Sequence, residues 1–76
     1  MVRAYILIEM VAGYASTLVT ALKSTSAVRS VDRVTGPYDV IVVLEASSIN
    51  GISDIVAEDI HSLQGVTRTL TCISLG

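Results

Sequence analysis

The 76-residue chain has no tryptophan, no phenylalanine and only three tyrosines, so it lacks an aromatic platform on which bases could stack. Its single cysteine, Cys72, cannot form an internal disulfide, which fits a reducing, cytoplasmic setting. One Cys, one His and two Met do not furnish a haem or iron–sulfur centre, and no cofactor is expected. Charge is sparse as well: five basic and seven acidic residues leave a net charge of −2. The basic residues are scattered, whereas a stand-alone nucleic-acid binder presents a basic face, so direct nucleic-acid binding is not expected. No apolar run approaches the roughly 18 residues of a membrane-spanning helix, and no signal-peptide pattern opens the chain. Gly-rich phosphate loops, nucleophile elbows and paired catalytic carboxylates are missing too, and no enzyme is expected.

What is present is aliphatic. Apolar residues make up 51% of the chain and the mean hydropathy is +0.68. That balance excludes intrinsic disorder and suits one domain over residues 1–76. A chain this short buries only about 60% of its extended surface on folding. So much apolar content on so little interior implies a second buried surface, most simply a subunit interface. Eleven Val, eight Ile and seven Thr favour strands.

Four runs read as strands. The first, Val2 to Met10, is apolar at every even position. The second, Val28 to Thr35, is more polar and ends at Gly36-Pro37, a tight turn. The third, Tyr38 to Ala46, puts Val40, Val42, Leu44 and Ala46 on one face. The fourth, Val66 to Leu75, alternates Thr67, Thr69, Thr71 and Ile73 against Arg68, Leu70, Cys72 and Ser74. Helical spacing connects Ala15, Leu18, Val19 and Leu22, with Ser16 or Thr17 as candidate caps. A second stripe, Ile49, Ile52, Val56, Ile60 and Leu63, steps by threes and fours, with Ser47 or Ser48 as N-cap and Gly65 as the stop. The order β-α-β, turn, β-α-β is an α+β, ferredoxin-like βαββαβ sandwich with a four-stranded antiparallel sheet.

Two helices cover one sheet face. On the other face Tyr5 and Leu7 lie beside Ile41 and Val43, between the charged residues Arg3, Glu9, Asp39 and Glu45. An apolar centre with a charged rim is the composition of a contact patch, here a face-to-face homodimer interface. Asp54, Glu58 and His61 fall on one helix face, and a solvated polar face accounts for them without a metal. Cys72, in phase with Leu70, reads as a small hydrophobe rather than a nucleophile. In the turn before the third strand, Gly36 permits close backbone approach and Asp39 offers an acceptor, which serves a turn or a ligand equally well.

The segment Val34-Thr35-Gly36-Pro37-Tyr38-Asp39-Val40-Ile41-Val42 resembles the central signature of the RAM (regulation of amino acid metabolism) domain, the effector-binding half of leucine-responsive regulator/AsnC transcription factors. Gln64-Gly65-Val66-Thr67-Arg68-Thr69-Leu70-Thr71 is similar to the last strand of that family. The resemblance covers nearly the whole chain. Full-length members carry an N-terminal helix-turn-helix domain, and this sequence resembles the stand-alone form without one.

The resemblance implies a homodimer, assembly of dimers into higher oligomers, and an amino acid effector bound where dimers meet. Residues carried over as ligand-binding are Thr35, Gly36, Tyr38 and Asp39, with Thr67, Thr69 and Thr71 of the last strand in addition. Backbone N–H groups near Gly36 suit a carboxylate, and Asp39 suits an ammonium. Two other classes remain compatible with the residues. One is an interaction module that joins full-length family regulators. The other is a small ferredoxin-like enzyme, which would need a polar cavity beneath the helices.

Overall fold

The computed structural model describes Met1–Gly76. Strand β1 (Val2–Met10) is followed by helix α1 (Ala15–Lys23), β2 (Val28–Arg33), β3 (Val40–Ala46), α2 (Ile49–Ile55) and β4 (Val66–Ile73). The sheet runs β2-β3-β1-β4 with every neighbouring pair antiparallel, which is the ferredoxin-like arrangement. No helix is long and apolar enough to cross a membrane.

The even-numbered row of β1 packs as its pattern requires. Ala4, Ile6 and Ile8 oppose Leu44, Val42 and Val40 across the β1–β3 ladder, and all six are fully buried. Leu18 and Leu22 of α1, with Ile52, Val56 and Ile60 from the second helical segment, close the core from the other side. The layer between sheet and helices is thus filled by eleven buried aliphatic side chains with no polar group among them.

Several local features depart from the sequence reading. Strands expected to start at Tyr38 and end at Thr35 and Leu75 are shorter, because Val34–Asp39 forms the hairpin turn and β4 ends at Ile73, with Ser74 N–H making a last bond to Arg3 C=O. Neither Ser16 nor Thr17 caps α1: Tyr14 holds the cap position and no side chain bonds there. Ser48 does cap α2, its hydroxyl accepting from Gly51 N–H at 3.0 Å. Beyond Ile55 the helix widens into a π-helical turn over Val56–Ile60, where His61 N–H reaches back to Val56 C=O at 2.9 Å. Steps of three and four alone do not distinguish that turn from an α-helix. Gly65 ends the segment at φ +93°, the left-handed region that favours glycine. Cys72, read as a small buried hydrophobe, is exposed on the sheet's outer face, because β4 is an edge strand and no helix covers that side.

Candidate functional site

The hairpin between β2 and β3 is fixed to the end of β1 rather than standing free. Val34 N–H donates to Asp39 C=O at 3.0 Å and closes the turn. Gly36 takes φ +141°, a conformation open to a residue without a side chain. Asp39 N–H donates to Ile8 C=O at 2.9 Å, and Met10 N–H donates to Asp39 Oδ2 at 2.8 Å. The half-buried Asp39 therefore holds β1 to the hairpin through one carboxylate oxygen. Its Oδ1 makes no hydrogen bond.

The remaining candidates are distributed around this point. Tyr38 lies beside Arg68 of β4: the guanidinium sits 5.5 Å from the ring centroid, and Nη2 donates to Tyr38 Oη at 3.3 Å. A bulge between Glu9 and Met10 interrupts the alternation of β4. Thr67 Oγ1 consequently donates to Glu9, within 3.0 Å of both its backbone oxygen and Oε1. Thr69 and Thr71 oppose Ile8 and Ile6 on the helix side of the sheet, and Thr69 Oγ1 meets His61 Nε2 at 2.9 Å. Thr35 and Gly36 are exposed at the hairpin tip. Structure thus gathers Asp39, Tyr38 and Thr67 around one end of β1 and sets Thr69 and Thr71 apart from them.

Asp39 also borders a cavity of about 230 Å³ between the hairpin, the end of β1 and the start of α1. Its apolar walls come from Met10, Val11, Ala15 and Val34, and its two charged residues are Asp39 and Arg33. Sequence reasoning did not single out Arg33. It opposes Val40 in the β2–β3 register, so a charged residue occupies the end of the core-facing row. That phase was the legible signal, obscured by the bulge between Val28 and Ser30. Arg33 Nη1 donates to Ser16 Oγ at 3.4 Å and makes no ion pair. The first turn of α1 contains no acidic residue.

A larger cavity, about 580 Å³, lies at the opposite end of the sheet against Arg3, Tyr5, Glu45 and Ile49. Its charges are already matched. Glu45 accepts from Arg3 at 2.7 Å and from Arg29 at 3.0 Å. The hydrogen bond to Glu45 raises the Arg3 guanidinium pKa above its usual value, and bonds from Arg3 and then Arg29 hold the Glu45 carboxyl below its own. Charge matching makes this cavity the weaker candidate despite its volume. No group of three or more His, Cys, Asp or Glu side chains is placed to hold a metal.

Comparison with known proteins adds a family and a fold. The family model for the Lrp/AsnC ligand binding domain matches residues 3–76. No curated protein matches the chain. Among solved structures, a Thermus thermophilus protein superposes with a TM-score of 0.94 at 32% identity, covering 100% of this chain and 95% of that one. AsnC of Escherichia coli gives 0.91 at 22% identity, over 99% of this chain and 51% of its own. A Neisseria meningitidis transcriptional regulator solved with L-Met gives 0.90 at 18% identity, over 99% and 50%. At those last two identities the likeness is one of fold.

Proposed function

The chain belongs to the Lrp/AsnC ligand-binding domain family, and on that premise we propose that it senses a free amino acid and reports it through its own assembly. The observation that carries the reading is Asp39. Its carboxylate is half-buried, oriented by Met10 N–H at 2.8 Å, and retains an unbonded oxygen beside a cavity. An α-ammonium group is a fitting partner for such an oxygen, since charge-assisted hydrogen bonds are short and strong. That the Neisseria regulator was solved with L-Met supports an amino acid as the ligand class.

Assembly is the second half of the proposal. The sheet face bearing Tyr5, Leu7, Ile41 and Val43 pairs with the same face of a second copy. The resulting dimers meet near the hairpins Thr35 to Asp39, so that an effector bound there touches two dimers. A ligand that binds the assembled state more tightly must, by linkage, favour assembly. Participation in mixed assemblies with full-length family regulators is compatible with the same surfaces.

A thermal-shift screen of the proteinogenic amino acids, followed by calorimetry on wild type and Asp39→Asn, tests the effector. Asn keeps an oxygen for Met10 N–H and removes the charge. Affinity should fall about tenfold to a hundredfold, from the loss of a charged hydrogen bond worth roughly 1.5–3 kcal/mol. Equal affinity in the two proteins would place the ammonium elsewhere.

A further inference from the structure

We infer that Arg33 is the carboxylate anchor of the effector, and that the cavity it shares with Asp39 selects compact amino acids. This rests on the amino-acid reading above and extends it to a residue and a ligand class.

The cavity brings together two opposite charges that do not pair with each other. Asp39 accepts one hydrogen bond and leaves Oδ1 unbonded, while Arg33 has no carboxylate partner anywhere in the chain. Of the other three arginines, Arg3 and Arg29 share Glu45, and Arg68 lies against the ring and hydroxyl of Tyr38. Arg33 instead extends over α1, with only the long contact to Ser16 Oγ at 3.4 Å to hold it. An α-amino acid carries both complements on one carbon, an ammonium for Asp39 and a carboxylate for Arg33. The guanidinium is suited to the second task because its planar fork matches a carboxylate bidentately.

The walls decide which side chain fits beyond Cα. Met10, Val11, Ala15 and Val34 contribute hydrocarbon side chains, with polar surface exposed beside them, so it is size that limits the ligand. A volume near 230 Å³ lies below the roughly 300–1,000 Å³ typical of pockets for drug-sized ligands. That space suits alanine, valine or leucine better than tryptophan or arginine.

The test is calorimetry with L-alanine, L-valine, L-leucine and L-tryptophan, and with L-valinamide, in which the carboxylate is replaced by a neutral amide. Wild type should bind at least one aliphatic acid, bind L-tryptophan at least tenfold more weakly, and bind L-valinamide about tenfold to a hundredfold more weakly than L-valine. Arg33→Gln should lose most of the preference for acid over amide, and should melt near the wild-type temperature, since Arg33 is exposed and outside the core. Arg33→Lys should restore part of the preference. If Arg33→Gln binds L-valine as tightly as wild type does, Arg33 is not the anchor, and the amino-acid reading itself survives. Equal or tighter binding of L-tryptophan overturns the selection by size. If none of the probes binds wild type, the inference fails, and a positive wider screen would still leave amino-acid sensing in place.

Discussion

Asp39 and Met10 are joined by a 2.8 Å hydrogen bond from a strand N–H to a side-chain carboxylate, across a gap of 29 positions. That bond gives Asp39 a structural task beside any role in binding. Asp39→Ala leaves Met10 N–H without its partner in a partly buried setting, at a cost of about 1–3 kcal/mol. Asp39→Asn retains an acceptor and should stay within about 1 kcal/mol of wild type. Urea denaturation of the two variants separates these outcomes, and equal losses would mean that charge rather than acceptance holds the hairpin.

Gly65 is required twice over. Its φ is +93°, and a Cβ at that position would run into the side chain of Tyr14. Gly65→Ala therefore combines backbone strain with a clash, and should destabilise the fold by more than the roughly 1 kcal/mol ordinary for a left-handed position. Adding Tyr14→Gly, which removes the Cβ that lies nearest, should relieve the clash and leave the strain. Full recovery in the double variant, followed by thermal melting, would show that strain contributes nothing.

Glu45 sets a direction for acid sensitivity. Bonds from Arg3 and Arg29 hold its folded-state pKa below the unfolded value of about 4.3. A depressed carboxyl contributes stability that is present above the unfolded pKa and lost as pH falls through the folded one. Stability should therefore decline on acidification from about pH 5 downward, and Glu45→Gln should flatten that decline. The two arginines are about half exposed and Glu45 is half-buried, so the effect should be small and weakened by salt. Unfolding curves at several pH values, at low and high salt, measure it.

Most of the fold was legible because two periods coexist without conflict. The alternation Ala4, Ile6, Ile8 and Val40, Val42, Leu44 specifies one buried row per central strand, and the stripe through Ile52, Val56 and Ile60 specifies the surface that covers it. What was not legible arises where backbone bonding departs from those periods. Bulges at Val28/Ser30 and Glu9/Met10 shift the phase of β2 and β4, so simple alternation misplaces Thr67 and hides Arg33. The π-helical turn at Val56–Ile60 leaves the apolar stripe intact and so leaves no trace in it. At the candidate site, the motif located Asp39, but its partner Met10 is a backbone amide, and sequence does not show which amide a carboxylate meets.

Duplex DNA should not bind the isolated chain at physiological salt. Net charge is −2, and two of the five basic residues are engaged with Glu45. Phosphate contacts would reveal themselves as affinity that falls steeply with salt. A salt-sensitive gel shift at micromolar protein would overturn this expectation.

The outer sheet face gives the sharpest test of assembly. Across the ladders Tyr5 opposes Val43 and Cys72, and Leu7 opposes Ile41 and Leu70, so six residues make one patch over three strands. Tyr5 is 38% and Leu70 48% exposed, which is unusual for large apolar side chains grouped together. Leu7→Asp with Val43→Asp would place unpaired charge at the centre of a face-to-face dimer, where water is excluded and desolvation is costly. The core should be indifferent, because these side chains point away from the buried row of Ala4, Ile6 and Ile8. Sedimentation should show a wild-type dimer or larger species and a folded monomer near 8.0 kDa for the double variant. Cys72 supplies an internal probe, since its thiol lies on the same patch opposite Tyr5. Alkylation of Cys72 should be slow in wild type and fast in the double variant. A wild-type chain that sediments as a folded monomer at micromolar concentration, with Cys72 reacting as an open thiol, would remove the interface from this face.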